Sequence, residues 1–260
     1  MAMLKCFNIW FAGCGHVAAL LTCLTAASTA RGQAAMTVDL ALVLAIDCSN
    51  SVDLMEYDLQ TGGLANAFRS SEIIAAIASG PTRRIGVTVV QWADSYRQMT
   101  VVPWHIVSNR QSALLLADEI ARTPRYVHGG STSITGMMTH GYQLLSRIPF
   151  AAHRKAIDIT ADGRNNEGGS PGAARDRLSA KGITINGLAI LNEIQTLDLY
   201  FQRNVIGGPG NFVIRANDYE DFRVAIWRKL LREILGPGIA LKPNPDRHRA
   251  ALPARLVGRR

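Results

Sequence analysis

Three short segments of this chain consist almost entirely of apolar residues, many of them β-branched, and they restrict the fold more than any other feature. They occupy residues 38–46 (VDLALVLAI), 85–92 (IGVTVVQW) and 183–190 (ITINGLAI). A strand that is covered on both faces has this composition, because neither of its faces meets water. Residues 99–107 and 155–161 are also predicted to be strands. We therefore expect a sheet that lies between two other layers.

Segments with helical periodicity separate these strands. After the first strand, Val52, Met55 and Leu59 fall on one stripe of a helix. Further helices are predicted over residues 72–78, 133–147 and 172–181. A Ser108–Gln111 capping box begins another helix, which ends near residue 122, and Asn217 and Glu220 cap a final one. Strands that alternate with helices in this way indicate βαβ units. The prediction is a single α/β domain over residues 36–235, doubly wound, with a mostly parallel sheet and helices on both faces.

The two ends of the chain differ from this domain. Lys5 precedes an apolar stretch over residues 7–24, and small residues follow at 26–30, as in a signal peptide with its cleavage site. We expect a signal peptide over residues 1–30, with cleavage as late as residue 35, and hence a periplasmic or secreted protein. An uncleaved anchor is the alternative, although polar residues and glycines make this stretch a poor membrane span. Residues 236–260 are expected to form a basic, disordered tail.

Removal of a signal peptide would leave Cys48 as the remaining cysteine of the four. The exported domain would then have no internal disulfide, and its stability would have to come from packing. Because Cys48 directly follows a strand, we interpret it as a small buried hydrophobic residue.

The formal net charge of +8 does not indicate nucleic-acid binding. Residues 236–260 contain six Lys or Arg and one Asp, and Lys5 and Arg31 add two more positive charges, so residues 32–235 are nearly neutral. A nucleic-acid-binding protein is expected to carry its positive charge on a folded face. A solvated tail explains the charge better. A structural role, in which the tail docks on an anionic membrane or polymer, is a further hypothesis.

Polar residues whose side-chain oxygens could bind a ligand follow three of the predicted elements. The first strand ends in Asp47-Cys48-Ser49-Asn50-Ser51, a DxSxS pattern, whose alternate residues face one side. Thr132 lies in a glycine-rich loop (GGSTS, residues 129–133), and the strand over 155–161 is followed directly by Asp162 and Gly163. In doubly wound sheets, ligands bind outside the carboxyl ends of the strands. These loops are therefore the expected location of a binding site.

This order of motifs resembles the metal-ion-dependent adhesion site (MIDAS) of von Willebrand factor type A domains, over about residues 37–235. The resemblance implies one divalent metal held by Asp47, Ser49, Ser51, Thr132 and Asp162. The residue before Asp162 is Ala161 where that family usually has Thr, which removes no ligand. The run from residue 158 to residue 190 is also similar to a narrower, exported bacterial branch that is classified only as a domain of unknown function.

Hydroxyl and carboxylate ligands suit Mg²⁺ best, with Mn²⁺ or Ca²⁺ as alternatives, and do not suit a structural zinc site. If the carboxylates act mostly through water, as the resemblance implies, an open coordination position would favour a carboxylate from a protein partner. We therefore expect a non-enzymatic binding or adhesion domain that recognises an acidic group. Each residue taken alone is more simply a helix cap, so the prediction depends on all three loops together.

A metal-dependent hydrolase of phosphate or ester bonds, using the same site, is the alternative function. The string around Ser170 (GGSPG) matches the G-x-S-x-G nucleophile elbow, but Pro171 has no N–H for an oxyanion hole, so Ser170 is better explained as a helix N-cap. Asn165, Asn166, Asp94 and His128 fall in nearby loops, where ordinary turn or loop roles are the simpler interpretation.

Overall fold

The computed structural model describes residues 36–236. The expected signal peptide and almost all of the expected tail therefore lie outside the described residues. Among the described residues, no helix is long and apolar enough to cross a membrane.

The described chain forms one six-stranded sheet. Its strands are β1 (Thr37–Asp47), β2 (Ile85–Trp92), β3 (Gln98–Val107), β4 (Ala151–Ala161), β5 (Ile183–Ile190) and β6 (Val213–Ala216), and their order across the sheet is β3-β2-β1-β4-β5-β6. All neighbouring pairs are parallel except β2 and β3, which are antiparallel and joined by a short turn. This is the doubly wound, mostly parallel α/β arrangement that the sequence predicted.

Seven helices cover the two faces of the sheet within residues 36–236. They are α1 (Leu54–Arg69), α2 (Ser71–Ala78), α3 (Arg110–Arg122), α4 (Ile134–Ser146), α5 (Pro171–Ser179), α6 (Leu197–Asn204) and α7 (Phe222–Leu235). One apolar core joins the sheet to α1, α2, α3 and α7, and a second joins it to α4, α5 and α6. Because both faces are covered, the residues of β2 are all buried, as are all but the first residue of β1.

Several predicted boundaries agree with the structure, and several differ. β2 and β5 have the predicted ends, whereas β1 extends one residue further at each end, so that Asp47 is its last residue. The predicted Ser108–Gln111 capping box is wrong by one residue, because Asn109 and Ser112 cap α3 instead. The predicted cap of α7 is also wrong. Asp221 is its N-cap residue, and Asn217 hydrogen-bonds the Asp221 side chain.

Two elements, α6 and β6, were not expected from the sequence. β6 has only four residues and lies at the sheet edge, where one face can be half exposed and the apolar run is correspondingly short. α6 has eight residues, too few for a clear periodic pattern. Both are held by packing against β5, a tertiary contact that no short sequence pattern marks.

The strand order reverses between β1 and β4, which lie side by side at the centre of the sheet. Chain connections leave these two strands in opposite directions, so a crevice opens at their carboxyl ends. Asp47 ends β1 and Asp162 directly follows β4. The fold thus places the two carboxylates of the predicted site at its switch point.

Candidate metal centre

Side chains from β1 and β4 meet at this crevice in a chain of hydrogen bonds. The Ser49 and Ser51 hydroxyls lie 3.2 Å apart, and the Ser51 hydroxyl donates to Asp162 Oδ1 at 2.7 Å. Asp47 Oδ1 accepts from the backbone N–H of Ser49 at 2.8 Å. The three residues of the DxSxS pattern and the aspartate after β4 therefore form one cluster, although 111 positions separate Ser51 from Asp162.

Thr132 lies beside this cluster. Its hydroxyl oxygen is 3.5 Å from the position that a β-carbon on Gly163 would occupy, so the threonine packs against the residue that follows Asp162. Asn166 fixes the threonine backbone from both sides: Asn166 Oδ1 accepts from the Thr132 N–H at 2.8 Å, and the Asn166 N–H donates to the Thr132 carbonyl at 2.9 Å. All five predicted ligands thus lie at the same edge of the sheet.

The two carboxylates are fully buried, and their electrostatics are unfavourable in the absence of a cation. Asp47 and Asp162 are both 0% exposed. Burial, and then the neighbouring charge of Asp162, raise the pKa of Asp47 to about 7. Asp47 Oδ2 has no hydrogen-bond partner among the described residues. A cation beside Asp47 Oδ2 would supply the missing partner and offset the repulsion, so the residues present fit a metal site.

The donor set restricts which ions fit. Within residues 36–236, no group of three or more His, Cys, Asp or Glu side chains could hold a metal ion. A metal here must therefore be held partly by the hydroxyls of Ser49, Ser51 and Thr132, and hard cations such as Mg²⁺ prefer such oxygens. Ser51 is exposed whereas the other four residues are buried, so the cluster opens to solvent on the Ser51 side.

Arg125 holds the backbone of the DxSxS loop, a role that the sequence did not suggest. Its guanidinium donates to the carbonyls of Val52 at 2.6 Å and Cys48 at 2.8 Å, and more weakly to that of Ser49 at 3.3 Å. These bonds fix the backbone of the loop that carries the Ser49 and Ser51 hydroxyls. No local motif marks Arg125 for this role, because the carbonyls that it holds in the DxSxS loop lie more than 70 positions earlier in the chain.

The glycine-rich loop is joined to the DxSxS loop through Asn50. The Asn50 N–H donates to the Gly130 carbonyl at 3.0 Å, and the Gly130 N–H donates to Asn50 Oδ1 at 2.9 Å. Gly129 has a φ of 65°, and a β-carbon there would lie 2.3 Å from Asn50 Oδ1. Glycine is therefore required at this position both by backbone conformation and by space.

Tyr219 is a further neighbour of the site that sequence reasoning missed. Its hydroxyl donates to Asp162 Oδ2 at 3.0 Å, so each oxygen of Asp162 accepts one side-chain hydrogen bond. Burial, together with the nearby carboxylates, raises the pKa of Tyr219, which keeps the phenol a donor. Tyr219 lies in the loop before α7, and no motif in that loop could have identified it.

The other residues considered from the sequence have supporting roles. Asn165 Oδ1 accepts from the Thr135 N–H at 3.1 Å, near the start of α4. Asp94 pairs with Arg97 at 3.0 Å, and Arg97 donates to the His128 carbonyl at 3.2 Å, so these residues shape the loop before Thr132.

Ser170 is the N-cap residue of α5, and Pro171 is the first residue of that helix, as predicted. The Ser170 side chain makes no capping hydrogen bond, so the position of the cap was right but not its bond.

A family model described as "Protein of unknown function (DUF1194)" matches residues 37–238, which include the whole sheet. A comparison with curated proteins finds no match.

Solved structures similar to this chain include von Willebrand factor type A domains. Proximal thread matrix protein 1 from the mussel byssus, in a form with a zinc-occupied MIDAS motif, is 15% identical, with a TM-score of 0.54 over 77% of this chain and 49% of that chain. A von Willebrand factor type A protein from Catenulispora acidiphila is 15% identical, with a TM-score of 0.51 over 78% and 44%. The pilus adhesin SpaC from Lactobacillus rhamnosus GG is 12% identical, with a TM-score of 0.53 over 78% and 31%.

This chain therefore spans about half, or less, of the length of these structures. At such identities the likeness establishes the fold.

Proposed function

This chain belongs to the DUF1194 family of proteins of unknown function, and from that premise we propose that it is an exported, non-enzymatic binding domain. It holds one divalent cation through Asp47, Ser49, Ser51, Thr132 and Asp162. Through that cation it recognises an acidic group on a protein partner.

One observation carries the proposal. Five oxygen donors from three separate loops meet at the switch point of the sheet, and one buried carboxylate oxygen among them, Asp47 Oδ2, has no hydrogen-bond partner in the described chain. Helix capping explains a Ser or Asp after a strand one at a time. It does not explain why two buried aspartates are brought close enough together to raise the pKa of Asp47.

In this proposal the residues of the site and their neighbours have separate roles. Asp47 and Asp162 supply the negative charge that balances a divalent cation, and the three hydroxyls add neutral oxygen ligands. Arg125 and Tyr219 hold the DxSxS loop and the Asp162 carboxylate in place. A bound divalent cation would supply an electrophilic position that an incoming carboxylate can occupy. The exposed side of the cluster, at Ser51, is where a partner would approach.

The surface around the site suits a protein partner. Of the large apolar side chains that are exposed, Leu54, Met55, Tyr96 and Tyr126 lie in loops or at a helix start at the carboxyl edge of the sheet. Leu54 and Met55 are 66% and 72% exposed and begin α1 directly after the DxSxS loop. Exposed apolar side chains around a polar centre are typical of protein interfaces. The similar structures include a pilus adhesin and a byssal thread protein, which favours binding over catalysis.

Magnesium is the proposed ion, because hydroxyl and carboxylate oxygens suit hard cations. The zinc-occupied site belongs to a mussel protein that is 15% identical, so it supports a divalent ion in general. Export rests on the N-terminal segment with its Lys5, apolar stretch and small residues. Membrane association through the basic tail is not part of the proposal.

The test is a calorimetric titration of the protein with Mg²⁺, Mn²⁺, Ca²⁺ and Zn²⁺. The wild-type protein should bind one ion, with Mg²⁺ or Mn²⁺ bound at least as well as Ca²⁺, and an Asp47→Ala/Asp162→Ala variant should bind none. Asp118→Asn is the matched control, because Asp118 lies on the surface of α3, away from the site, where it pairs with Arg69 of α1. This variant should bind the metal ion as the wild type does. Equal, negligible binding by the wild type and the double variant would refute the metal site.

A further inference from the structure

A cluster of buried charged side chains lies between β4, β5 and α7, separate from the candidate metal centre. Lys229, Asp158 and Glu233 are 0%, 1% and 3% exposed. Lys229 Nζ contacts the Asp158 carboxyl group and lies 3.6 Å from Glu233 Oε2. Asn186 Nδ2 donates to both oxygens of Glu233 at 2.8 Å, while its own oxygen accepts from the Phe212 N–H at 2.8 Å. The cluster is thus held in one arrangement by the sheet.

The cluster is unfavourable as a set of ions. Two carboxylates and one ammonium would carry a net negative charge into the core, and burying ions costs more than their pairing returns unless every group is well satisfied. The Phe212 ring covers Lys229 Nζ, with its centroid 5.2 Å away, so no water reaches the amine from that side. Burial raises the pKa of Asp158, which favours its neutral acid form. Burial also raises the pKa of Glu233, but the hydrogen bonds from Asn186 and the charge of Arg154 act in the opposite direction, so Glu233 is the member of the pair that keeps its carboxylate and can accept a proton.

Moving the lysine proton to Asp158 gives a neutral amine in contact with a neutral carboxylic acid. These are the two reactants of an amide condensation. The protein holds them together before any reaction, which removes most of the entropic barrier to bond formation. Glu233 lies beside the amine as a group that can accept and return a proton.

We propose that Lys229 and Asp158 become joined by an intramolecular isopeptide bond, with Glu233 as the proton-transfer residue. Lys229 Nζ attacks Asp158 Cγ, and the new N–C bond forms as the nitrogen gives a proton to Glu233. Glu233 returns a proton to the hydroxyl on Cγ, the C–O bond breaks and one water molecule leaves. The net change is one amine and one carboxylic acid converted to one amide and one water, with no oxidant or cofactor.

The bond would tie the central strand β4 to the last helix, α7. It would remove a buried ammonium and a buried carboxyl group and leave Glu233 paired with Asn186. Like a disulfide, it would restrict the unfolded chain, but reducing agents would not break it. Cys48 is the one cysteine of the described residues and is free and buried, so this link would be a covalent brace in a domain where disulfides do not provide one.

The experiment is mass spectrometry of the purified, fully denatured and reduced protein. The wild-type chain should be lighter than the mass calculated from its sequence by one water molecule. A trypsin digest should contain residues 156–164 linked to residues 229–232, because trypsin does not cut after an acylated lysine. A wild-type chain of full calculated mass, with these peptides unlinked, would overturn the proposal. So would a link from Lys229 to Glu233 instead of Asp158.

Variants separate the chemistry from folding. Glu233→Gln keeps the side-chain size and a partner for Asn186 and should retain the full, unreacted mass. Lys229→Arg keeps a positive charge but offers no amine and should also stay unreacted. Lys155→Arg is the matched control on β4 and should lose water as the wild type does. Loss of water by Glu233→Gln at the wild-type rate would contradict the role of Glu233 in proton transfer. The mass of the wild-type chain shows whether the isopeptide bond forms, even if a variant fails to fold.

Discussion

Asp47 combines requirements that conflict at the scale of one residue. It is fully buried at the end of a central strand, beside a second buried aspartate, with one oxygen that lacks a hydrogen-bond partner in the described chain. Such a carboxylate destabilises a fold unless something binds it. Binding sites often keep this kind of local cost, because the same charge that destabilises the free protein attracts the ligand.

Replacing this charge should separate the two effects. Asp47→Asn keeps the shape and the bond from the Ser49 N–H but removes the repulsion with Asp162. In metal-free buffer at neutral pH we expect a gain of about 1–3 kcal/mol in the free energy of unfolding, since an unpartnered buried charge is lost. Chemical denaturation measures the gain, and calorimetry should show that metal binding is lost. A variant less stable than the wild type in metal-free buffer would contradict this account.

Arg125 acts on the site through the backbone. Arg125→Ala removes the bonds to the carbonyls of Val52 and Cys48 and should lower the free energy of unfolding by about 1–3 kcal/mol, since buried acceptors lose their partners. Metal affinity should fall as well, because the DxSxS loop loses its support. Arg122→Ala, an exposed position at the end of α3, is the control for charge. Equal metal affinity in the two variants would show that Arg125 does not position the loop.

At the scale of elements, the site depends on how loops join neighbouring parts of the sheet. Asn50 connects the loop after β1 to the glycine-rich loop before α4, and Asn166 connects the loop after β4 to Thr132. Each connection uses a side-chain amide that pairs with backbone groups of another loop. The side-chain oxygens of the candidate metal site are therefore positioned by hydrogen bonds between loops as well as by the strands.

Two glycines test this view because they differ in their surroundings. Gly129→Ala should destabilise the protein by at least about 1–2 kcal/mol, since the φ of 65° and the Asn50 side chain leave no room for a β-carbon. Gly62→Ala should instead stabilise it by about 0.5–1 kcal/mol, since Gly62 lies inside α1 with open space around it. Thermal unfolding of both variants measures the difference, and effects of the same sign would disprove the argument.

At the scale of the whole molecule, two apolar cores lie on either side of one sheet, and the core against α1, α2, α3 and α7 is the larger. The polar groups buried within them contribute to stability in ways that depend on pH. His140, on α4, is half-buried, and its Nε2 has no hydrogen-bond partner among the described residues. Burial lowers the pKa of His140 below its ordinary value of 6.5.

The sign of the pH effect follows from that direction. Below pH 6.5 the unfolded chain binds a proton at this histidine before the folded protein does, so acidification favours unfolding. The contribution of His140 to the free energy of unfolding should therefore fall as the pH drops from 7 to 5, whereas Asp47, whose pKa is raised, contributes in the opposite direction. The free energy of unfolding of a His140→Gln variant, taken relative to that of the wild type, should rise over the same range. Urea denaturation at several pH values measures both slopes. Parallel slopes for the wild type and the variant would exclude His140 as a contributor.

The sequence by itself determined the ends of two buried strands and which polar residues lie at the edge of the sheet. β2 and β5 have the predicted ends, because strands buried on both faces must be continuously apolar. The DxSxS pattern, the glycine-rich loop and Asp162 fall at strand ends or in a loop, so the topology of a parallel sheet was enough to bring them to one edge. That these residues bind a metal remains a prediction.

Only the tertiary structure decided the groups that support the donors. Arg125, Tyr219 and the Lys229–Asp158–Glu233 cluster all act through contacts between residues far apart in the chain, except for the Lys229–Glu233 pair within α7. Periodicity and motifs report what a residue does to its immediate neighbours. They do not report which distant carbonyl an arginine will reach, or which buried aspartate a lysine will meet, because those pairings are fixed only when helices pack on the sheet.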